Sequence, residues 1–172
     1  LGFLGGAVLG FIYAPLTMTG MHHSILPVEM QLFANIAVTG GSFFLAIASC
    51  NNVAQGAASL ASIITSKNKK LRSIALTSGI SALLGITEPA MFGVNLKLKT
   101  PFYSAMIGSA LGSAYSVFTN VLNVSPGPTG IIGFVTIRPQ NIVNFFISLG
   151  IAFVVTFILT LVLSKKNKSI TI

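Results

Sequence analysis

The chain of 172 residues contains only two acidic residues, and both lie within apolar segments. Glu88 stands directly before Pro89, and a proline disfavours helix at the preceding residue and lacks a backbone donor. The break leaves unpaired backbone groups beside a carboxylate, which can accept hydrogen bonds from two hydroxyls of a polyol. We therefore predict that Glu88 binds a polyol ligand. The alternative is an acid placed at a membrane–water boundary.

Two adjacent histidines form the second polar group. On a regular helix His22 and His23 would point about 100° apart, but on a turn after Gly20 both could face one ligand. Recognition of sugar hydroxyls is the functional interpretation, with proton relay, metal ligation and a pair of interfacial histidines as alternatives. Glu29, seven residues after His22, could pair with a histidine or be a solvated acid at a helix end.

A third polar group lies inside an apolar stretch, where residues 49–56 read SCNNVAQG. Asn51 and Gln55 are four residues apart and share a helix face. Amides are costly in hydrocarbon unless they bond across helices or face a wet cavity. We predict that Asn51 and Gln55 contact substrate, with structural bonding between helices as the alternative. Cys50 is interpreted as a small apolar residue without a role.

Composition places these groups in a membrane protein. The chain is 53% hydrophobic and 7% charged, with a mean hydropathy of +0.88, whereas soluble domains carry about 25% charged residues. Intrinsic disorder needs the opposite balance. The net charge of +8 does not indicate nucleic-acid binding, because no aromatic residues interleave with the basic clusters.

The predicted fold is therefore all-α, an integral membrane protein with several spans. A span needs about 20 apolar residues. Polar breaks in two further segments predict re-entrant hairpins, which enter and leave on the same side. The predicted spans are residues 1–18, 43–65, 102–124 and 142–163, the hairpins are 21–42 and 73–96, and a polar tail follows at 164–172. The apolar start predicts a fragment truncated upstream of residue 1.

Basic residues give this layout an orientation. Cytoplasmic loops are enriched in lysine and arginine, and the hairpin layout places nine of the ten basic residues on one side, with Arg138 alone on the other. The C-terminus is then cytoplasmic. Small residues at Gly108 and Gly112, with Ser109 and Ser113 beside them, have the spacing that allows helix backbones to approach closely.

These motifs together resemble a known family. The sequence GITEP at 85–89, continued by AMFGVNL at 90–96, resembles the signature of EIIC, the membrane component of sugar permeases in the bacterial phosphoenolpyruvate-dependent phosphotransferase system (PTS). TGMHH at 19–23 and NVAQG at 52–56 resemble two further markers of that superfamily. The run 72–95 is most similar to the sucrose, trehalose and β-glucoside branch.

The resemblance implies the C-terminal half of an EIIC domain, the half that holds the sugar in a bacterial cell membrane. It implies that a sugar, with sucrose or a related disaccharide or β-glucoside first, is translocated and phosphorylated by phospho-EIIB, without a further cofactor. By resemblance Glu88 contacts sugar hydroxyls and takes part in catalysis, and His22 and His23 bind the sugar, with His22 favoured. The complete protein would then be a protein-phosphohistidine-dependent sugar phosphotransferase, and this half alone would be inactive.

Two partners are also implied by the resemblance: an EIIB domain fused upstream, and a second copy that pairs through the N-terminal half. One departure is residues 126–130, PGPTG, where relatives often have a stretch like GGLP.

Two other classes of protein stay open as alternatives. An ion-coupled secondary sugar transporter would also need buried glutamate and histidine. A receptor or structural subunit would need no polar cluster at all.

Overall fold

The computed structural model describes residues 2–168 of the chain, and side chains for residues 2–166. Every named element in this part is helical, so the all-α prediction is confirmed there. The α-helices are α1 (Phe3–Met18), α2 (Leu26–Ala34), α3 (Ile36–Thr39), α4 (Phe44–Thr65), α5 (Lys69–Leu83), α6 (Glu88–Ala90), α7 (Leu96–Leu98), α8 (Thr100–Phe118) and α9 (Ile142–Lys168). Three 3-10 turns (Met21–Ile25, Ile131–Thr136, Pro139–Asn141) and a π-helical turn (Met91–Asn95) complete them.

Helix α4 is the centre of the bundle. It packs against α1, α5, α8 and α9, and most of its residues are buried. Small side chains such as Ala46, Ala54 and Ala58 are fully buried along it, because neighbouring helices can approach a helix closely only where its side chains are short. The polar residues of α4 are therefore held on a helix that has little freedom to move.

The spacing of small residues in α8 is confirmed as a packing signal. A Cβ atom added to Gly112 would lie 2.7 Å from the Ser148 carbonyl oxygen of α9, and one added to Gly108 would collide with the Thr156 hydroxyl. On another face of α8, Ser113 packs against α1, where a Cβ on Gly10 would lie 2.5 Å from its hydroxyl oxygen. Glycine at these positions brings α1 and α9 against α8.

Hydropathy within the described residues identifies one helix, Pro139–Lys166, as long and apolar enough to cross a membrane, and α1 as apolar but shorter. Helices α1, α4, α8 and α9 occupy the segments predicted as spans. The layout of four spans and two re-entrant hairpins stays a prediction. Helix α8 ends at Phe118, before the predicted limit of 124, because Asn120 adopts a left-handed φ of 53°.

The other end of the chain also differs from the prediction. Helix α9 continues through Lys168, where a polar tail was expected from residue 164. Residues 169–172 of that predicted tail, and Leu1 of the first predicted span, lie outside the described residues.

An irregular segment after α8 closes one side of the bundle. Ser42 and Asn123 exchange two backbone hydrogen bonds, of 2.9 and 2.8 Å, and Arg138 donates a hydrogen bond to the Gly40 carbonyl oxygen. These contacts tie residues 39–43 to residues 120–138. Thr129, in the PGPTG departure noted above, is thereby brought to α4.

Candidate functional site

A cavity of about 230 Å³ lies between α1, α4, the 3-10 turn and α2, and the segment that precedes α6. Both acids of the chain line this cavity. Polar side chains on its wall are Tyr13, Thr17, His22, His23, Glu29, Asn52, Thr87, Glu88 and Thr129. We call it the polar cavity.

The histidines reach the polar cavity through a glycine turn. Gly20 has a left-handed φ of 76°, a conformation that glycine adopts without steric cost. It ends α1 and begins the 3-10 turn Met21–Ile25. The imidazole rings of His22 and His23 lie 4.0 Å apart between centroids, and both line the cavity. The structure thus has the turn after Gly20 and brings both rings to one cavity, whereas their contact with a ligand stays a prediction.

The two histidines differ in their surroundings. His23 is exposed, whereas His22 is half-buried and its ring centroid lies 6.4 Å from that of Tyr13. The Nδ1 atom of His22 is buried and makes no hydrogen bond of normal geometry within the described residues, and the Leu16 backbone lies close to the ring.

Glu88 reaches the polar cavity from the opposite wall. Gly85, with a φ of 104°, turns the chain after α5, and Thr87 and Glu88 then line the cavity. The Glu88 side chain is exposed and Pro89 follows it in the first turn of α6. The structure thus brings Glu88, His22 and His23, three of the five predicted site residues, to one cavity.

The other acid, Glu29, has a different environment. It is 3% exposed, and its Oε1 atom accepts a 2.9 Å hydrogen bond from the Ser42 hydroxyl. The alternative of an acid exposed to bulk solvent at a helix end is therefore wrong. Its hydrogen bonds come from the Ser42 hydroxyl and the Leu45 backbone, not from a histidine.

Asn51 and Gln55 lie outside the polar cavity. Both are fully buried, and the Gln55 side-chain oxygen accepts a 2.7 Å hydrogen bond from Asn95 Nδ2. Asn95 Nδ2 also lies 2.9 Å from the Gln55 carbonyl oxygen. Neither polar atom of the Asn51 side chain has a partner among the described residues. Their assignment as substrate contacts stays a prediction, and the contact seen for Gln55 joins two helical segments.

The amide that does line the cavity is Asn52, a site residue that the sequence analysis missed. Its Nδ2 atom donates a 2.7 Å hydrogen bond to Thr129 Oγ1 and lies 3.4 Å from the Gly85 carbonyl oxygen. Asn52 therefore joins α4 to both segments that form the far wall. The approach is close, since a Cβ on Gly85 would lie 2.8 Å from the Thr129 carbonyl oxygen.

A buried helical bundle that surrounds a cavity with carboxylates, imidazoles and an amide has the features of a membrane protein for a polar solute. The family model described as "Phosphotransferase system, EIIC" matches residues 1–109. The chain belongs to this family.

Curated relatives refine the comparison. The chain is 52% identical over 168 residues to the "PTS system sucrose-specific EIIBC component" of Vibrio alginolyticus, covering 98% of this chain and 35% of the relative. It is 52% identical over 155 residues to the protein of the same name from Staphylococcus xylosus, covering 90% and 32%. It is 43% identical over 154 residues to the "PTS system trehalose-specific EIIBC component" of Bacillus subtilis, covering 90% and 32%.

The chain thus spans about a third of the length of these relatives. Their names place it in the sucrose and trehalose branch, as the resemblance indicated. A search of solved structures found no match.

Proposed function

We propose that this chain is the sugar-binding part of a PTS permease that carries a sugar across the cell membrane and phosphorylates it. The observation that carries the proposal is the convergence of His22, His23 and Glu88 on the polar cavity. Imidazoles and carboxylates are the donors and acceptors that recognise vicinal hydroxyls. Sucrose is the first candidate substrate, because the relatives that cover nearly all of this chain are named sucrose-specific.

The chemistry assigned to Glu88 is proton transfer. The phosphoryl donor is a cysteine of EIIB, so the P–S bond breaks, a P–O bond forms to a sugar hydroxyl, and the thiolate leaves. Glu88 orients that hydroxyl and accepts its proton, which as general-base catalysis contributes about 10²–10⁴-fold. Cys50 is not that donor, because it is fully buried and its thiol contacts Ser148.

The histidines and Asn52 have binding roles in this proposal. The buried Nδ1 of His22 bonds a sugar hydroxyl, and the neighbouring His23 ring packs beside it. Asn52 holds the wall that carries Glu88. A sugar site near the middle of the membrane, lined by broken helices, is the arrangement expected for alternating access. The complete permease would form a homodimer, which places a second copy of the chain beside this one.

The test uses the complete permease that contains these residues, with Glu88→Gln and Glu88→Ala. The amide of Glu88→Gln still hydrogen bonds hydroxyls but cannot take a proton. We expect it to bind radiolabelled sucrose within a few-fold of the parent and to form sugar phosphate from phospho-EIIB about 10²–10⁴-fold more slowly. Glu88→Ala should lose both binding and phosphorylation.

Ile86→Ala is the matched control. Ile86 lies two residues from Glu88, is 59% exposed and does not line the polar cavity, so its truncation should leave both measurements unchanged. Undiminished sugar phosphorylation by Glu88→Gln would refute the assigned role. Uptake into vesicles driven by an ion gradient, without phosphoenolpyruvate or EIIB, would replace the proposal with the ion-coupled alternative.

A further inference from the structure

A second cavity, of about 390 Å³, lies at the other end of α4. It is formed where α4 ends, α5 begins, α7 meets α8, and α9 passes residue 164. Its lining residues are Thr65, Ser66, Lys67, Asn68, Leu98, Thr100 and Ser164. None of them lines the polar cavity.

The lining chemistry suits an anion. Lys67 brings a positive charge, and serine, threonine and asparagine side chains bring hydrogen-bond donors. Asn68 Oδ1 accepts a 3.2 Å hydrogen bond from the Leu71 amide, which orients its amide group. The two acids of the chain, Glu29 and Glu88, both line the polar cavity instead. Among the described residues that line this cavity there is no acidic side chain.

Lys67 is the basic residue that lines this cavity, and other basic residues are neighbours of lining residues in the sequence. Lys97 and Lys99 flank the lining residue Leu98, and Lys165 follows the lining residue Ser164. Lys99 has a φ of 60° and a ψ of −58°, a backbone conformation that non-glycine residues rarely adopt. The remaining cations of this end follow Lys67 in the chain: Lys69, Lys70 and Arg72.

We propose that this cavity binds the phosphodiester headgroup of an anionic membrane lipid. A lipid headgroup and a free phosphate ion would both present a phosphate group to this cavity. Two features favour the lipid. The cavity opens where long helices of a membrane protein end, and Ile64, next to the lining residue Thr65, is 64% exposed, an apolar surface for an acyl chain. Basic pockets between membrane helices are known binding places for such headgroups. This proposal does not depend on the sugar chemistry.

The test compares the complete permease with its Lys67→Gln and Lys67→Arg variants in nanodiscs. Binding of fluorescent phosphatidylglycerol is titrated against a phosphatidylcholine background. One cation near an anionic headgroup is worth about fivefold in affinity, so Lys67→Gln should weaken phosphatidylglycerol binding about fivefold and Lys67→Arg should retain it. The control for net charge is Arg138→Gln, which removes the one cation outside the basic segments together with its hydrogen bond to the Gly40 carbonyl oxygen; its phosphatidylglycerol affinity should equal that of the parent.

Three results would overturn the proposal. Equal losses for Lys67→Gln and Arg138→Gln would show only a general effect of net charge. Competition by inorganic phosphate at the affinity of the lipid would make the site one for a free anion. Unchanged lipid affinity of Lys67→Gln, together with weaker use of phospho-EIIB, would make this face a protein-docking surface.

Discussion

The buried amide pair Asn95–Gln55 gives a quantitative test of how the Glu88 segment is held. Asn95 ends the π-helical turn that follows α6, and its Nδ2 atom donates to Gln55 Oε1 at 2.7 Å. Both side chains are fully buried. Replacing Asn95 by leucine, of similar size, removes the donor and leaves the Gln55 side chain buried without a partner for either polar atom, since its Nε2 already lacks one among the described residues.

The expected cost follows from that unpaired oxygen. A buried polar group that loses its partner costs about 1–3 kcal/mol. The second contact of Asn95, to the Gln55 carbonyl oxygen, adds less, because that oxygen lies within α4 and also belongs to the helix ladder. Asn95→Leu should therefore lower the free energy of unfolding by about 1–3 kcal/mol. The double variant Asn95→Leu with Gln55→Leu removes both partners, which can be nearly neutral, and should recover most of the loss.

The assay is a double-mutant cycle on the complete permease in detergent, followed by denaturant-induced unfolding and by sucrose binding. A positive coupling of about 1 kcal/mol or more between the two positions is expected for residues in direct contact. Additive losses would contradict the reasoning, because they would mean that the two amides do not depend on each other. If Gln55 contacts sugar instead, the double variant would regain stability but not sucrose affinity.

Two further variants test the wall of the polar cavity and the helix packing. Asn52→Ala removes the donor to Thr129 and should weaken sucrose binding, because the segment that carries Glu88 loses its hydrogen bond to α4. Thr129→Val removes only the acceptor and should reproduce part of that loss in the same binding assay. Gly108→Val should lower the free energy of unfolding by about 1–3 kcal/mol, because the valine side chain would collide with Thr156 of α9. Gly150 has open space beside it, so Gly150→Ala should lower the free energy of unfolding by less.

The histidine turn and a chain break near Glu88 could be predicted because their signals are local. Gly20 permits a left-handed turn whatever surrounds it. The prediction that Pro89 keeps Glu88 out of a helix was wrong: the break is made by Gly85, with a φ of 104°, and Glu88 begins α6 with Pro89 in its first turn, where proline is tolerated. The class of fold could be predicted as well, since apolar runs with few charges demand helices in a membrane. Local signals in the sequence thus identified His22, His23 and Glu88, three of the residues on the wall of the polar cavity.

The amide on α4 could not be chosen from sequence in the same way. Asn51 and Asn52 are adjacent, and one step along a helix turns a side chain by about 100°. Whether the cavity lies on the face of one or the other depends on which neighbour packs against α4. The spacing of Asn51 and Gln55 correctly indicated one shared face, but the structure turns Gln55 toward Asn95 and Asn52 toward the cavity.

Long-range contacts explain the remaining misses. Glu29 finds its partner Ser42 thirteen residues later, and Thr129 reaches Asn52 across 77 positions of the chain. Both contacts depend on the irregular segments 39–43 and 120–138 pairing with each other. No periodic sequence pattern marks such segments. Which of their residues pair with each other is therefore set by tertiary packing and not by secondary-structure propensity.

The division of charge within the chain links the two cavities. Both acids line the polar cavity near the start of α4, and Lys67 lines the second cavity at the other end of that helix. The length of α4 therefore separates these opposite charges. Moving a lysine toward Glu88, for example with Thr17→Lys on the cavity wall, should therefore abolish sucrose binding through competition for the carboxylate. An unchanged affinity in that variant would show that Glu88 does not contact the sugar.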